Sequence, residues 1–225
     1  IARESYKEKK YLKKYLFTDL DIMLSNFFSL GTPIKNNKKI VLFRHAQSFG
    51  NVKQILYGVT DYELTDFGKE QASWLKDPFQ KNLGKIDKIY SSSLKRAMQT
   101  AQVALSIQSE AEFRNKVEIA QGIQEWNFGS LENLDCSNNS VFDHINFIEL
   151  FLNGKILRDD IEHVSNVEKR LFEAMSKFPS DKNVVAFSHY VMQQIIQKKL
   201  GICGLHLNNC GALAFYADQN GKPAE

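Results

Sequence analysis

Apolar runs of strand length recur along the chain at 39–44, 86–90, 117–120, 183–187 and 212–217. Helix-length stretches lie between them, at 66–77, 94–106, 140–153, 164–178 and 190–200. Strands separated by such segments predict an α/β three-layer sandwich, with a mostly parallel central sheet and helices on both faces. The first forty residues follow a different pattern. Leu12, Leu16, Leu20, Met23 and Phe27 recur at helical spacing, which predicts one or two amphipathic helices. GTPIKNNKK then reads as a linker rich in turn formers. The expected organisation is a helical extension and linker over 1–38, packed on a main domain over 39–225. Docking of 1–38 to a membrane surface or a protein partner is the alternative, since Arg3, Lys7, Lys9, Lys10, Lys13 and Lys14 crowd its start.

Composition changes this picture little. A chain of 225 residues suits one domain with an appendage. The net charge of +3 gives no argument for nucleic acid, and no such partner is expected. Cys136, Cys203 and Cys210 lack metal-type spacing and read as reduced thiols of a cytoplasmic protein. No run approaches the roughly 18 consecutive apolar residues of a membrane span. The chain starts at Ile1, so a targeting signal upstream would leave no trace in it.

Candidate chemistry sits where strands end. IVLFRHAQSFGN runs from apolar Ile40–Phe43 straight into Arg44 and His45. IYSSSLKRAMQT ends a strand in serines and puts Arg96 in the first turn of a helix. VVAFSHYVMQQ ends a strand at Ser188–His189, where another helix begins. In a parallel sheet all three ends share the carboxyl edge, where α/β proteins bind ligands. Two arginines and two histidines in one crevice would suit a phosphoryl group. Guanidinium forks grip two oxygens at once, and helix amino ends add backbone donors.

These segments carry a resemblance. RHAQSFGN resembles the Arg-His-Gly signature of the histidine phosphatase superfamily, the branch with cofactor-dependent phosphoglycerate mutases and many small phosphatases. YGVTDYELTDFGKEQA, SSSLKRAMQTA, IQEWNFGSLEN and VVAFSHYVMQQIIQKKLGI are similar to its further motifs, in the same order, from about Lys39 to Tyr216. The resemblance implies a phosphoglycerate mutase-like fold, a small phosphorylated substrate and no cofactor or metal. It implies His45 as the nucleophile that becomes phosphohistidine. Arg44, Arg96 and His189 would clamp the phosphoryl oxygens, and Asn51 would add a contact at the rim. Glu125 would protonate the leaving group and then deprotonate the attacking water. These residue types suit such chemistry, because neutral imidazole is a good nucleophile and phosphoryl transfer mainly needs positioning and positive charge.

Two positions depart from the pattern. Ala46 stands where the motif has glycine, which is harmless at negative φ. Tyr190 stands where glycine usually follows the second histidine. It is counted among the substrate-binding residues, and its ring could narrow the site, offer a hydroxyl, or point away. His144, His163 and His206 read as surface or core residues, and Trp74 and Phe79 as packing. Trp126 and Phe128 flank Glu125 and could line the pocket mouth. The resemblance implies that mutases close their site with a long insertion between the acid and the second histidine. Here Glu125 and His189 are only 64 positions apart (189 − 125). That favours hydrolysis of a phosphate monoester over mutase transfer. A weakly active binding module of the same fold is a further alternative.

Overall fold

The computed structural model describes residues 20–30, 36–136, 148–150, 152–155, 158–202 and 205–224. Its main sheet is built from β1 (Lys38–Arg44), β3 (Lys88–Ser91), β4 (Glu118–Ile119), β6 (Asn183–Ser188), β7 (Ala212–Ala217) and β8 (Pro223–Ala224). These six strands lie in the order β4-β3-β6-β1-β7-β8. The four strands from β4 to β1 are mutually parallel; β7 runs antiparallel to β1, and β8 antiparallel to β7. The sheet is therefore mixed, with the expected parallel part running from its β4 edge to β1. A separate ribbon pairs β2 (Ile55–Leu56) with β5 (Leu134–Asp135). Two-residue strands give too short a pattern to read from sequence.

Strand alternation sends side chains to two faces, and helices cover both. Ile40, Leu42, Val184, Ala186, Leu213 and Phe215 meet Val167, Leu171 and Met175 of one helix and Met192, Ile195 and Ile196 of another. Val41, Phe43, Val185 and Phe187 face Leu24, Phe28, Phe79, Ala97 and Ala101 on the opposite side. There the Phe43, Phe79 and Phe187 rings pack with centroids 5.3–5.7 Å apart. Helices among the described residues include α1 (residues 20–29), α2 (Phe49–Val52), α3 (Asp66–Ser73), α4 (Lys76–Asn82), α5 (Lys95–Ala104), α6 (Glu110–Lys116), α7 (Val164–Ser176) and α8 (Tyr190–Lys199).

Several expectations need correcting in detail. The single helix expected over 66–77 is two, because the chain turns at Trp74–Leu75 before α4. β4 is only two residues of the strand expected over 117–120. Helix α6 is an addition to the expected elements; Ser109 caps it by accepting from the Glu112 N–H. β1 takes in Lys38, which the sequence pattern assigns to the linker. This lysine is buried to 2% exposure, and its ammonium donates to the carbonyls of Ser176, Asp218 and Gln219. Its apolar stem fits the strand while the charge is satisfied at the sheet end. Most of the helix expected over 140–153, and the residues before 20, lie outside the described residues. Within α1, Leu20, Leu24 and Phe28 are buried in the second core, one turn apart. Among the described residues, no helix is long and apolar enough to cross a membrane.

Candidate active site

The sheet register brings the three strand ends together. Arg44 pairs with Ser188 across β1 and β6, and Ser91 pairs with Phe187 across β3 and β6. The ladder continues one step further: His45 N–H donates to Ser188 O, and Ser92 N–H donates to Phe187 O. His45, Ser92 and His189 are thus neighbours at the carboxyl edge. The His45 and His189 ring centroids lie 5.4 Å apart.

His45 is 3% exposed and fixed in orientation. Its Nδ1 lies 2.7 Å from the Ala46 carbonyl, which can only accept. That bond assigns the proton to Nδ1 and leaves the lone pair on Nε2. The backbone around it is braced from two sides. Thr100 Oγ1 accepts from Ala46 N–H at 2.9 Å, and Asn209 Nδ2 donates to His45 O at 3.0 Å. Burial, then the charges of Arg96 and Arg44, pull the His45 imidazole well below its ordinary pKa, so it stays neutral near neutral pH.

One pocket is lined by Arg44, His45, Asn51, Arg96 and Glu125, together with Tyr57, Phe128, Ile148, Tyr190 and Val191. Arg96 is fully buried on α5. Its Nη1 and Nη2 donate to the carbonyls of Thr60 and Gly58, and its guanidinium stacks on Tyr57, 4.8 Å from the ring centre. Arg44 donates from Nη1 to Leu207 O at 2.9 Å and stacks 4.9 Å from the Tyr190 ring centre. Both guanidiniums are held by carbonyls on one side, while both Nε atoms are buried without a protein partner. His189 is fully buried beside His45 and is not among the residues that line the pocket. Its Nε2 pairs with Ser92 Oγ at 2.8 Å, and its Nδ1 has no partner. Burial, then Arg96 and His45, pull its pKa well down.

Glu125 is 6% exposed. Trp126 N–H and Val191 N–H each donate to one of its oxygens, at 3.0 and 3.3 Å. Burial pushes its pKa up against these bonds and the arginine charges. Asn51 turns its Oδ1 toward Ser48, accepting from that residue's N–H and hydroxyl. Its place at the pocket is as expected, but its carbonyl oxygen is spent on the chain. Tyr190 lines the pocket, and its hydroxyl pairs with His206 Nδ1 at 2.8 Å. Phe128 reaches the pocket, whereas Trp126 is buried beside it with Nε1 donating to Glu162 O. His163 accepts from Ser165 N–H at the start of α7; His144 lies outside the described residues.

Sequence reasoning misses several supports. Asn209 carries no local pattern, and Thr100 ends the SSSLKRAMQTA segment without a role assigned to it. Tyr57 falls within a family-like motif that assigns it no role. Glu132 closes the motif that begins at Glu125, yet it does different work. Its carboxylate accepts from the N–H groups of Gly58, Val59, Thr60 and Phe128 and from the Thr60 hydroxyl. It ties down the loop whose carbonyls hold Arg96. Among the described residues, no group of three or more His, Cys, Asp or Glu side chains is placed to hold a metal.

Fold and site together define an α/β protein with a cationic pocket at the carboxyl edge of its sheet. The family model for the histidine phosphatase superfamily (branch 1) matches residues 40–214, and the chain belongs to that superfamily. It is 33% identical over 104 residues to a 2,3-bisphosphoglycerate-dependent phosphoglycerate mutase of Bacteroides fragilis, covering 46% of this chain and 41% of that protein. It is 40% identical over 65 residues to phosphoglycerate mutase-like protein 4 of Arabidopsis thaliana, covering 29% of this chain and 28% of that one. The matches thus span less than half the length of these relatives. Among solved structures, TTHB049 from Thermus thermophilus superimposes with TM-score 0.60 at 24% identity, covering 79% of this chain and 92% of that one. Mycobacterial hydrolase 1 does so with TM-score 0.64 at 19% identity, covering 83% and 94%. At these identities the structural likeness speaks for the fold alone.

Proposed function

We propose that the protein is a metal-independent phosphomonoesterase that works through a phosphohistidine. The observation that carries this reading is the clustering of His45 with Arg44, Arg96, His189 and Glu125, with buried N–H donors left unpaired by the protein. An unpaired buried donor costs about 1–3 kcal/mol, a cost that an anion accepting from it removes. In the proposed reaction His45 Nε2 attacks phosphorus and the bond to the ester oxygen breaks. Glu125, whose pKa burial raises, gives its proton to that oxygen. Water, deprotonated by the same carboxylate, then cleaves the phosphorus–nitrogen bond and releases inorganic phosphate. Arg44 and Arg96 stabilise the equatorial oxygens, with His189 Nδ1 as a further donor beside His45. Asn51 and Tyr190 would contact the bound ester.

Mutase transfer is the second reading, favoured by the two named relatives. A single set of assays separates the two. p-Nitrophenyl phosphate and sugar phosphates are incubated with the protein in EDTA, and 2- and 3-phosphoglycerate are tested for interconversion. Hydrolysis that survives EDTA and disappears in His45→Ala supports the phosphatase. Interconversion without net phosphate release supports the mutase. No turnover of any ester by folded protein supports a binding module.

A further inference from the structure

We infer that the alcohol part of the substrate is an uncharged apolar or aromatic group; this rests on the phosphatase reading and names the substrate class of the same pocket. Among the described residues, the cations that line the pocket, Arg44 and Arg96, are those assigned to the phosphoryl group. Beyond Arg44, His45, Arg96, Glu125 and the rim residue Asn51, the lining among the described residues is Tyr57, Phe128, Ile148, Tyr190 and Val191. Neither phenol offers its hydroxyl freely: Tyr57 pairs with Ser48 Oγ at 2.6 Å and Tyr190 with His206 Nδ1 at 2.8 Å. With their hydroxyls so engaged, these two residues are read as offering the ligand their rings. Their positions are fixed, since each ring also carries a guanidinium, Arg96 on Tyr57 and Arg44 on Tyr190. Phe128 is stacked on Trp126 at 5.8 Å and is 1% exposed. Lys53, the basic residue stacked 5.5 Å from the Tyr62 ring centre, is off the wall.

Among the described lining residues, a carboxylate on the alcohol part would find no cation beyond the two assigned to the phosphoryl group, and it would share the pocket with the Glu125 carboxyl. Desolvating a charge there without a cationic partner is unfavourable, whereas an apolar group gains from the same burial. Tyr190 is the specificity-determining side chain of this wall, because it fills a place where the family pattern has no side chain.

The test compares benzyl phosphate with 3-phosphoglycerate. Both are esters of primary alcohols, so the demand on the proton donor is similar. The expected kcat/KM ratio favours benzyl phosphate by about tenfold or more, in line with what hydrophobic pockets discriminate. Tyr190→Phe should keep the ratio and Tyr190→Gly should lower it by about tenfold, with folding checked by circular dichroism. Using the ratio cancels any uniform loss through Arg44. A ratio near one, or a preference for 3-phosphoglycerate, overturns the inference while leaving the phosphatase reading intact. If no ester is turned over, the phosphatase reading fails. The preference is then decided by calorimetric binding of benzylphosphonate against phosphonoacetate, equal or weaker binding of the former overturning it.

Discussion

Glu132→Gln tests how far the site depends on a residue that never touches the pocket. The Glu132 carboxylate accepts from five donors, four of them backbone N–H groups. Burial raises its pKa, but the bonds from Thr60, Gly58 and Phe128 outweigh this and hold it below its ordinary value. An amide offers only one acceptor atom. If its NH2 takes the Oε2 position it faces Thr60 N–H; in the Oε1 position it faces Val59 and Phe128 N–H. Either way at least one backbone donor is left unpaired, at about 1–3 kcal/mol. Glu132 is half-buried, so we expect about 2 kcal/mol. With a urea m-value of about 2 kcal/mol/M, the midpoint should fall by about 1 M. Activity should fall as well, because Gly58 O and Thr60 O orient Arg96. The clearest assay is a double-mutant cycle on kcat/KM. If Glu132 acts through Arg96, its substitution should cost far less in an Arg96→Ala background than alone. Strictly additive losses, or an unchanged urea midpoint, would refute the reasoning.

Three further outcomes follow from the same geometry. Glu125→Gln should slow alkyl phosphates far more than p-nitrophenyl phosphate, whose leaving group needs little protonation; equal slowing would remove Glu125 from the acid role. His45 and His189 both have folded pKa values well below the unfolded value near 6.5, so the unfolded state binds more protons in acid. Stability should therefore fall as pH drops below about 6.5, by at most about 1.4 kcal/mol per pH unit for each histidine. Urea midpoints between pH 8 and pH 5 should show a flatter dependence in His189→Gln than in the parent. Gly58→Ala should destabilise by about 3 kcal/mol or more, because a Cβ there would lie 1.5 Å from the Trp126 carbonyl; a melt within a degree of the parent would count against the described loop.

The sequence by itself determined the sandwich and three of the site's anchor points. Buried parallel strands need apolar runs on both faces, so β1 and β6 stand out as IVLF and VVAF. A cation or imidazole directly after such a run has to sit at the sheet edge. Only the tertiary structure decided what surrounds those anchors. Thr100, Asn209 and Glu132 act through single hydrogen bonds or bond clusters between segments up to 164 positions apart, which leave no periodic trace. The same holds for Tyr190. Its departure from the family pattern was visible, but which way the ring turned depended on Arg44 and His206 arriving from other parts of the chain. Local pattern records where a residue sits in its own element; a pocket wall is made by contacts between elements, which appear only when the chain has folded.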